Sequence, residues 1–260
     1  MEDIISRRKL MSHLRPVRLA ALASAPMLFL LQPALADEPT ELSASPFKIT
    51  GTATLATDYI FRGYTQTDGE TAIQGGIGVN HESGLSVSLW GSNVDFNDGD
   101  EASIEIDGTL SYTYSLDDKT VLSLGGVYYA YPGADSDLNY DYVEVFAGVA
   151  RSFDRYGDYG LQVSYSPEFF AETGAAVYVT GTASVPTPVE NLKIEASAGY
   201  QWIDDNDKYG VPDYADWSAG LNYTYDKVTL GLKYTDTSVS DERCNNLCDA
   251  RVMGNVSINF

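Results

Sequence analysis

Charged side chains in this chain often stand two residues apart, the spacing that puts two side chains on the same face of a β-strand. Glu105 and Asp107 form one such pair, and Lys193 and Glu195 form another. Neighbouring carboxyl groups could serve as general acid and base. They could equally pair with Arg or Lys across an enclosed space. The choice between these chemistries depends on the elements that carry the charges.

Those elements are predicted to be strands, because hydrophobicity alternates with a period of two along most of the chain. Most of the segments supply the 9–11 residues that a bilayer-spanning strand needs. There are about twelve such segments, an even number, at roughly 47–62, 71–80, 85–94, 102–114, 120–131, 141–150, 159–168, 174–185, 192–202, 214–224, 228–236 and 250–260.

The two faces of these strands differ in charge. One face is aliphatic and carries no charged residue, for example at Leu55, Ile77, Leu89, Leu124 and Leu161. Lys or Arg at the centre of a lipid face costs about 2–4 kcal/mol, which explains such an exclusion. The opposite face carries the charges, at Lys48, Asp58, Arg62, Glu105, Asp107, Glu144, Glu168, Lys193, Glu195, Asp216, Lys233 and Arg251.

Aromatic residues on the apolar face cluster at the strand ends. A soluble β-sandwich would bury its rings in the middle, whereas two aromatic belts around an aliphatic band match the two headgroup levels of a membrane. One belt is predicted at Tyr59, Phe61, Tyr128, Tyr165, Tyr200, Trp202, Trp217 and Tyr234, and the other at Phe47, Tyr112, Tyr114, Tyr159, Tyr223 and Phe260. In the segment "TDYIFRGYTQT", Asp58 and Arg62 are then expected to face the lumen.

The fold class predicted is therefore all-β: a transmembrane antiparallel up-and-down barrel of about 12 strands, with both termini periplasmic. Short turns then face the periplasm, and long, acidic loops face outward. The net charge of −21 argues against nucleic acid as a partner, because binding phosphates requires a basic surface.

The chain ends support this prediction. Residues 1–36 are typical of a cleaved secretory signal, with a basic start, the apolar run "LAALASAPMLFLL" and "ALA" before Asp37. Translation from Met1 or from Met11 is left open. Residues 37–260 are predicted to form the barrel, delivered by Sec-type export to the outer membrane of a Gram-negative bacterium. The last strand ends on Phe260, as terminal barrel strands do, and is expected to engage the barrel-assembly machinery.

Several segments resemble a known family over nearly the whole mature chain. They include "TDYIFRGYTQT", "AIQGG", "GLSVSLWGSNVDF", "YYAYPG", "SYSPEFF" and "YADWSAGL". These are similar to the TorF-type porin family of Gram-negative outer membranes, also called the Gcw_chp family. The resemblance implies an outer-membrane barrel with a pore role. It supplies neither a substrate nor catalytic residues, and the cysteine-bearing last loop is outside the family pattern.

Three functions are compared on this basis. A porin-like channel would pass small solutes or ions by diffusion, leaning toward cations because its outer loops are acidic. The charged set above would line it from Asp58 to Arg251, narrowed by rings such as Trp90, Tyr129 and Phe146. A closed structural or adhesive barrel is the alternative, since these rings and charges could simply stabilise the interior. An outer-membrane enzyme is disfavoured because His81, the one histidine after residue 36, is predicted on the lipid-facing side at the periplasmic end of a strand, and nothing places the acid pairs near a nucleophile.

The remaining motifs indicate few ligands. Cys244 and Cys248 in "RCNNLCD" are predicted to form a disulfide, which export permits, while two thiols without a nearby His make a poor zinc site. No metal site or cofactor is predicted. The acidic loops "DFNDGDE" and "DDNDKYG" lack EF-hand spacing, so diffuse divalent bridging to lipopolysaccharide is expected instead. Oligomeric state is left open.

Overall fold

The computed structural model describes residues 45–96, 102–210, 212–240 and 242–260. The predicted signal segment, residues 1–36, and residues 97–101 of the "DFNDGDE" loop lie outside this described part. Within it, no helix is long and apolar enough to cross a membrane.

Twelve antiparallel strands close into a barrel, which confirms the predicted all-β antiparallel barrel and its strand number. Two further strands of two residues each, β2 and β3, form a separate hairpin. The strands are β1 Phe47–Ala56, β2 Ile60–Phe61, β3 Tyr64–Thr65, β4 Ala72–His81, β5 Leu85–Asn93, β6 Ile104–Ser115, β7 Thr120–Ala130, β8 Tyr142–Ser152, β9 Asp158–Ser166, β10 Ala176–Pro186, β11 Leu192–Ile203, β12 Tyr214–Tyr225, β13 Val228–Thr237 and β14 Arg251–Asn259.

Neighbours in sequence are neighbours in the sheet, and β1 closes the ring between β4 and β14. β1 and β4 pair along their whole lengths, from Phe47 opposite His81 to Ala56 opposite Ala72. β1 and β14 pair only from Thr52 opposite Asn259 to Ala56 opposite Asn255. Closure pairs the first strand with the last, so that the sheet has no free edge across the middle of the barrel wall, as a hydrocarbon environment requires.

The outward face is apolar, as alternation predicted. Leucine, isoleucine and valine side chains at mid-strand point away from the barrel, among them Ile77, Leu89, Leu124, Leu161 and Leu232, all at least half exposed. Exposed rings stand near both strand ends, at Phe47, Tyr112, Tyr114, Tyr128, Tyr159, Tyr165, Tyr200, Trp202, Trp217, Tyr223, Tyr234 and Phe260. The two belts are therefore present, apart from the two residues corrected below.

The two ends of the barrel differ in their connections. Both described chain ends lie at the end with short turns, here called the short-turn end, where residues 82–84, 116–119, 153–157, 187–191 and 226–227 join the strands. The opposite, long-loop end carries most of the small helices: two short 3₁₀ helices at Ser136–Leu138 and Phe170–Glu172 and an α-helix, α1, at Asn206–Tyr209. A third 3₁₀ helix, Asp154–Tyr156, belongs to a short turn.

Candidate functional site: a hairpin inside the barrel

The connection from β1 to β4 folds back into the barrel instead of extending the wall. Ile60 pairs with Thr65 and Phe61 with Tyr64, joined by Arg62 and Gly63. Both turn residues have positive φ, 48° and 85°, as the tightest two-residue hairpin turn requires. Residues 57–67 are called the inner hairpin below. Its partners lie on strands all around the barrel, which places it in the lumen.

The prediction that Tyr59 and Phe61 belong to the outer aromatic belt is wrong. Tyr59 is only 3% exposed, packs edge-on against Trp90, and donates a hydrogen bond from its hydroxyl to Glu105 Oε1 at 3.1 Å. Phe61 packs against Tyr129 on the inner wall. The alternation was read as one long strand, but the reversal at Arg62 and Gly63 turns both faces of this segment inward.

Arg62 fastens the hairpin tip to two strands. One guanidinium nitrogen donates to Glu144 on β8 at 2.6 Å, and the other donates to Gln201 on β11 at 2.7 Å. Its charge also faces the ring of Tyr178, with 4.2 Å between the guanidinium carbon and the ring centroid. The ion pair is almost fully buried, at 7% and 4% side-chain exposure. Removing one partner of such a pair typically costs about 3–5 kcal/mol, because the other charge is left buried alone.

The base of the hairpin is fastened by a second ion pair. Arg251 on β14 donates to Asp58 at 3.0 Å and to Asp249 at 2.9 Å. The other oxygen of Asp58 accepts hydrogen bonds from the hydroxyls of Thr65 and Thr67. Asp58 therefore closes the hairpin on itself and ties it to the last strand.

Glu105 and Asp107 lie side by side on the inner face of β6 and are nearly inaccessible, at 2% and 0% exposure. Within the described residues, Glu105 Oε1 accepts from Tyr59, whereas Glu105 Oε2 and both Asp107 oxygens have no hydrogen-bond partner. Among the described residues, Arg62 pairs with Glu144 and Arg251 pairs with Asp58, whereas this acid pair has no basic partner.

The other residues predicted to line the lumen differ in where they lie. Tyr129 and Phe146 are buried inward-facing residues, and Trp90 packs on Tyr59. Asp216 accepts from the Tyr178 hydroxyl at 3.0 Å. Lys233, like Asp216, lines the inner cavity, and Lys193 and Glu195 lie on the less exposed face of β11.

Glu168 departs from its prediction. It follows the end of β9, is exposed, and accepts a hydrogen bond from the backbone N–H of Gly174 within its own loop. It therefore caps a loop and does not belong to the wall, because β9 ends at Ser166.

One side of the lumen is packed with rings. Tyr129 stacks on Tyr142 with 4.3 Å between centroids, and Tyr140 stacks on Phe170 at 4.4 Å. Phe169 enters from the loop after β9 and packs on Tyr142. Together with Tyr59 and Ile60 of the hairpin they form one buried apolar cluster. The barrel is solid on this side.

The other side retains a cavity of about 60 Å³ beside the hairpin tip, room for a few water molecules. Its lining is mixed: hydroxyls and charges of both signs on one wall, and Ile60, Phe61, Val127, Tyr129, Phe146 and Tyr178 on the other. The wall contributes mainly the inner faces of β9 to β13, with Gln162, Ser164, Thr180, Ser197, Asp216, Ser218, Lys233 and Thr235, together with Glu144 from β8. Arg62 and Lys233 face Glu144 and Asp216, so the fixed charges balance.

The predicted disulfide is confirmed, with Cys244 and Cys248 bonded. Its loop rests on the inner hairpin: Thr65 N–H donates to the carbonyl of Leu247 at 2.8 Å, and Arg251 donates to the carbonyl of Asn246. Both cysteines are buried in a cluster with Val239 and Tyr214, against which Tyr64 packs. Tyr209 of α1 joins this cluster, and burial raises the pKa of its hydroxyl to about 12.

Two positions at this site escaped sequence reasoning. Gln201 is fully buried and holds Arg62, and Phe169 packs against the same guanidinium. One local signal existed: Gly63 follows Arg62 in the middle of an alternating segment, and a glycine there is typical of a turn or bulge. Partners more than a hundred residues away carry no local signal.

A closed antiparallel barrel with an apolar outer band, two aromatic girdles and a polar interior is the architecture of transmembrane β-barrels of the porin type. Solved structures agree on the fold. A structure titled "KdgM porin" has a TM-score of 0.54 at 9% identity, covering 81% of this chain and 98% of that one. A NanC porin gives 0.54 at 9%, with 82% and 99% covered. A KdgM porin in complex with disordered oligogalacturonate gives 0.52 at 10%, with 82% and 97% covered.

The chain belongs to the Gcw_chp family, whose model is described as a bacterial protein of unknown function and matches residues 40–260. No curated protein matches the chain at a significant level.

Proposed function

We propose that this protein is a porin-like channel of the Gram-negative outer membrane, passing small solutes or ions by diffusion and performing no catalysis. The observation that carries the proposal is the cavity beside the hairpin, whose wall along β9–β13 presents hydroxyls, an amide and charges of both signs. A barrel built only for rigidity would close this space with apolar side chains, as the stacked rings of Tyr129 and Tyr142 close the region beside it. The resemblance to TorF-type porins supports the same function.

The permeant proposed is small and carries no large net charge. One porin of similar fold was solved with oligogalacturonate, but the cavity here sets Glu144 and Asp216 against Arg62 and Lys233. A polyanion would meet as many carboxylates as cations, so nothing favours it. The modest cation preference is proposed for the mouth, where the long loops carry most of the acidic residues.

The placement in the cell is part of the proposal. Residues 1–36 would direct Sec-type export, the short-turn end would face the periplasm, and the strand ending at Phe260 would engage the assembly machinery. Acidic loops at the long-loop end would bind lipopolysaccharide through divalent cations.

Single-channel recording tests the channel. Purified protein in a planar phosphatidylcholine bilayer should give discrete conductance steps in 1 M KCl. At this salt concentration the Debye length is about 3 Å, so charges are strongly screened. Under a salt gradient, the reversal potential should show a cation preference that weakens as ionic strength rises. Silence from protein whose folded state is verified by heat-dependent gel migration would favour the closed barrel, for which the inner hairpin is the supporting observation.

A further inference from the structure

The inner hairpin lies between a ring-packed side and a more polar side of the lumen. On the ring-packed side, Ile60 and Tyr59 join the cluster that includes Tyr129 of β7 and Phe146 of β8. On the more polar side, Phe61, Arg62 and Gly63 face the hydroxyl-bearing inner surfaces of β9 to β13 across the small cavity. A solute that crosses the barrel through this cavity would pass between the hairpin tip and that wall.

The gap is narrow compared with the barrel itself. A cavity of about 60 Å³ holds a few waters, whereas twelve strands enclose more space than the eight-stranded barrels that side chains alone can fill. The size limit is therefore set by the hairpin and not by the number of strands.

The hairpin is held at three separate places. Arg62 reaches Glu144 and Gln201 at the tip, Tyr59 reaches Glu105 on β6, and Asp58 reaches Arg251 at the base. Because these partners lie on β6, β8, β11 and β14, the hairpin is braced in several directions. A segment fastened in this way is a fixed constriction rather than a loose loop.

We infer that residues 57–67 set the solute size limit of the channel, and that Arg62 is the positioning residue that keeps the constriction in place. This inference rests on the proposed channel function and names the part of the chain that makes the channel selective. Arg62 itself is occupied by Glu144, Gln201 and the Tyr178 ring, so it acts by holding the hairpin and not by binding the permeant.

The test compares conductance and solute passage among variants of the full chain. In Arg62→Ala the tip loses both polar anchors, so conductance should rise about threefold or more, because conductance follows the water-filled cross-section. Proteoliposomes of phosphatidylcholine should then swell in a disaccharide that the parent excludes. Arg62→Lys, which keeps the charge without the two-pronged geometry, should fall between the two.

Arg151→Ala is the matched control. It removes an arginine from an exposed ion pair with Asp117 at the short-turn end, away from the lumen, and should leave both readouts unchanged.

A second variant tests the same inference in case Arg62→Ala does not fold. Ala56 and Ala72 are already paired in the wall, so an Asn-Gly turn in place of residues 57–71 can join β1 directly to β4. Heat-dependent gel migration verifies that each barrel is folded. This variant should show the largest conductance and size limit.

The outcomes separate the two proposals. If folded hairpin-deleted protein has the same conductance and size limit as the parent, the hairpin does not set the limit, although the channel proposal stands. Passage of a trisaccharide through the parent would lead to the same conclusion. A silent parent with a conducting deletion variant would support the hairpin as the barrier and reject the open channel. Silence in both would reject the channel and this inference with it.

Discussion

Leu89→Arg tests whether the outer face of the barrel lies in hydrocarbon. Leu89 stands in the middle of β5, is 56% exposed, and has Ile77 and Gly108 as cross-strand neighbours. In a water-soluble protein, arginine at such an exposed site would change the free energy of unfolding by less than about 0.5 kcal/mol.

In a bilayer the same substitution should cost about 2–4 kcal/mol, because Leu89 is near the midplane where an ionised group loses its hydration. That is a change of roughly 30- to 700-fold in the folding equilibrium, since every 1.4 kcal/mol is tenfold. The measurement is guanidinium unfolding of protein inserted in phosphatidylcholine vesicles, followed by tryptophan fluorescence.

Leu116→Arg is the matched control. Leu116 is 60% exposed, slightly more than Leu89, but it lies in the turn between β6 and β7 at the short-turn end. There the expected cost is about 0–1 kcal/mol, because lipid-face penalties fall toward the interface. Equal costs at the two sites would refute the assignment of this surface to lipid, and with it the two aromatic girdles.

Two further predictions concern the connections. Replacing Cys244 and Cys248 by Ser should lower the free energy of unfolding by about 2 kcal/mol, because the unfolded chain regains the loop-closure entropy of a five-residue ring. Thiol titration of the unreduced parent should find no free thiol, and two free thiols would contradict the disulfide. Gly84→Ala should cost more than about 1 kcal/mol by the same unfolding assay, because Gly84 has φ of 96° and an added Cβ would meet the Thr113 carbonyl oxygen at 2.1 Å. Gly133→Ala, with similar φ but nothing within 4 Å, is the control and should cost less.

The wall of the barrel was predictable because its cause is local. Successive side chains of each strand alternate between the lipid-facing and the interior face, so the faces of Leu89 and Leu161 could be predicted from their positions in the sequence alone. The ends of β7 and β11 were placed within a residue or two. The aromatic girdles followed from the same alternation, since Trp202 and Trp217 sit where their strands leave the apolar band.

The contents of the lumen were not predictable in the same way. The segment around Arg62 alternates as a strand does, yet its direction is decided by Glu144 and Gln201, which lie far along the sequence. The pairing of Asp58 with Arg251 spans 193 residues and depends on the barrel being closed. The positions of the charged residues in the strands predicted which groups face the interior. The partner of each group could be identified only from the closed barrel.

The closing seam between β1 and β14 has a consequence for how such a chain reaches its final form. These two strands come from opposite ends of the described chain and pair over only part of β1, from Thr52 to Ala56. Until the last strand pairs with the first, a partly assembled sheet has two edge strands with unpaired backbone N–H and C=O groups. The backbone groups of β1 from Thr52 to Ala56 therefore gain their second set of partners only when the last strand joins the first.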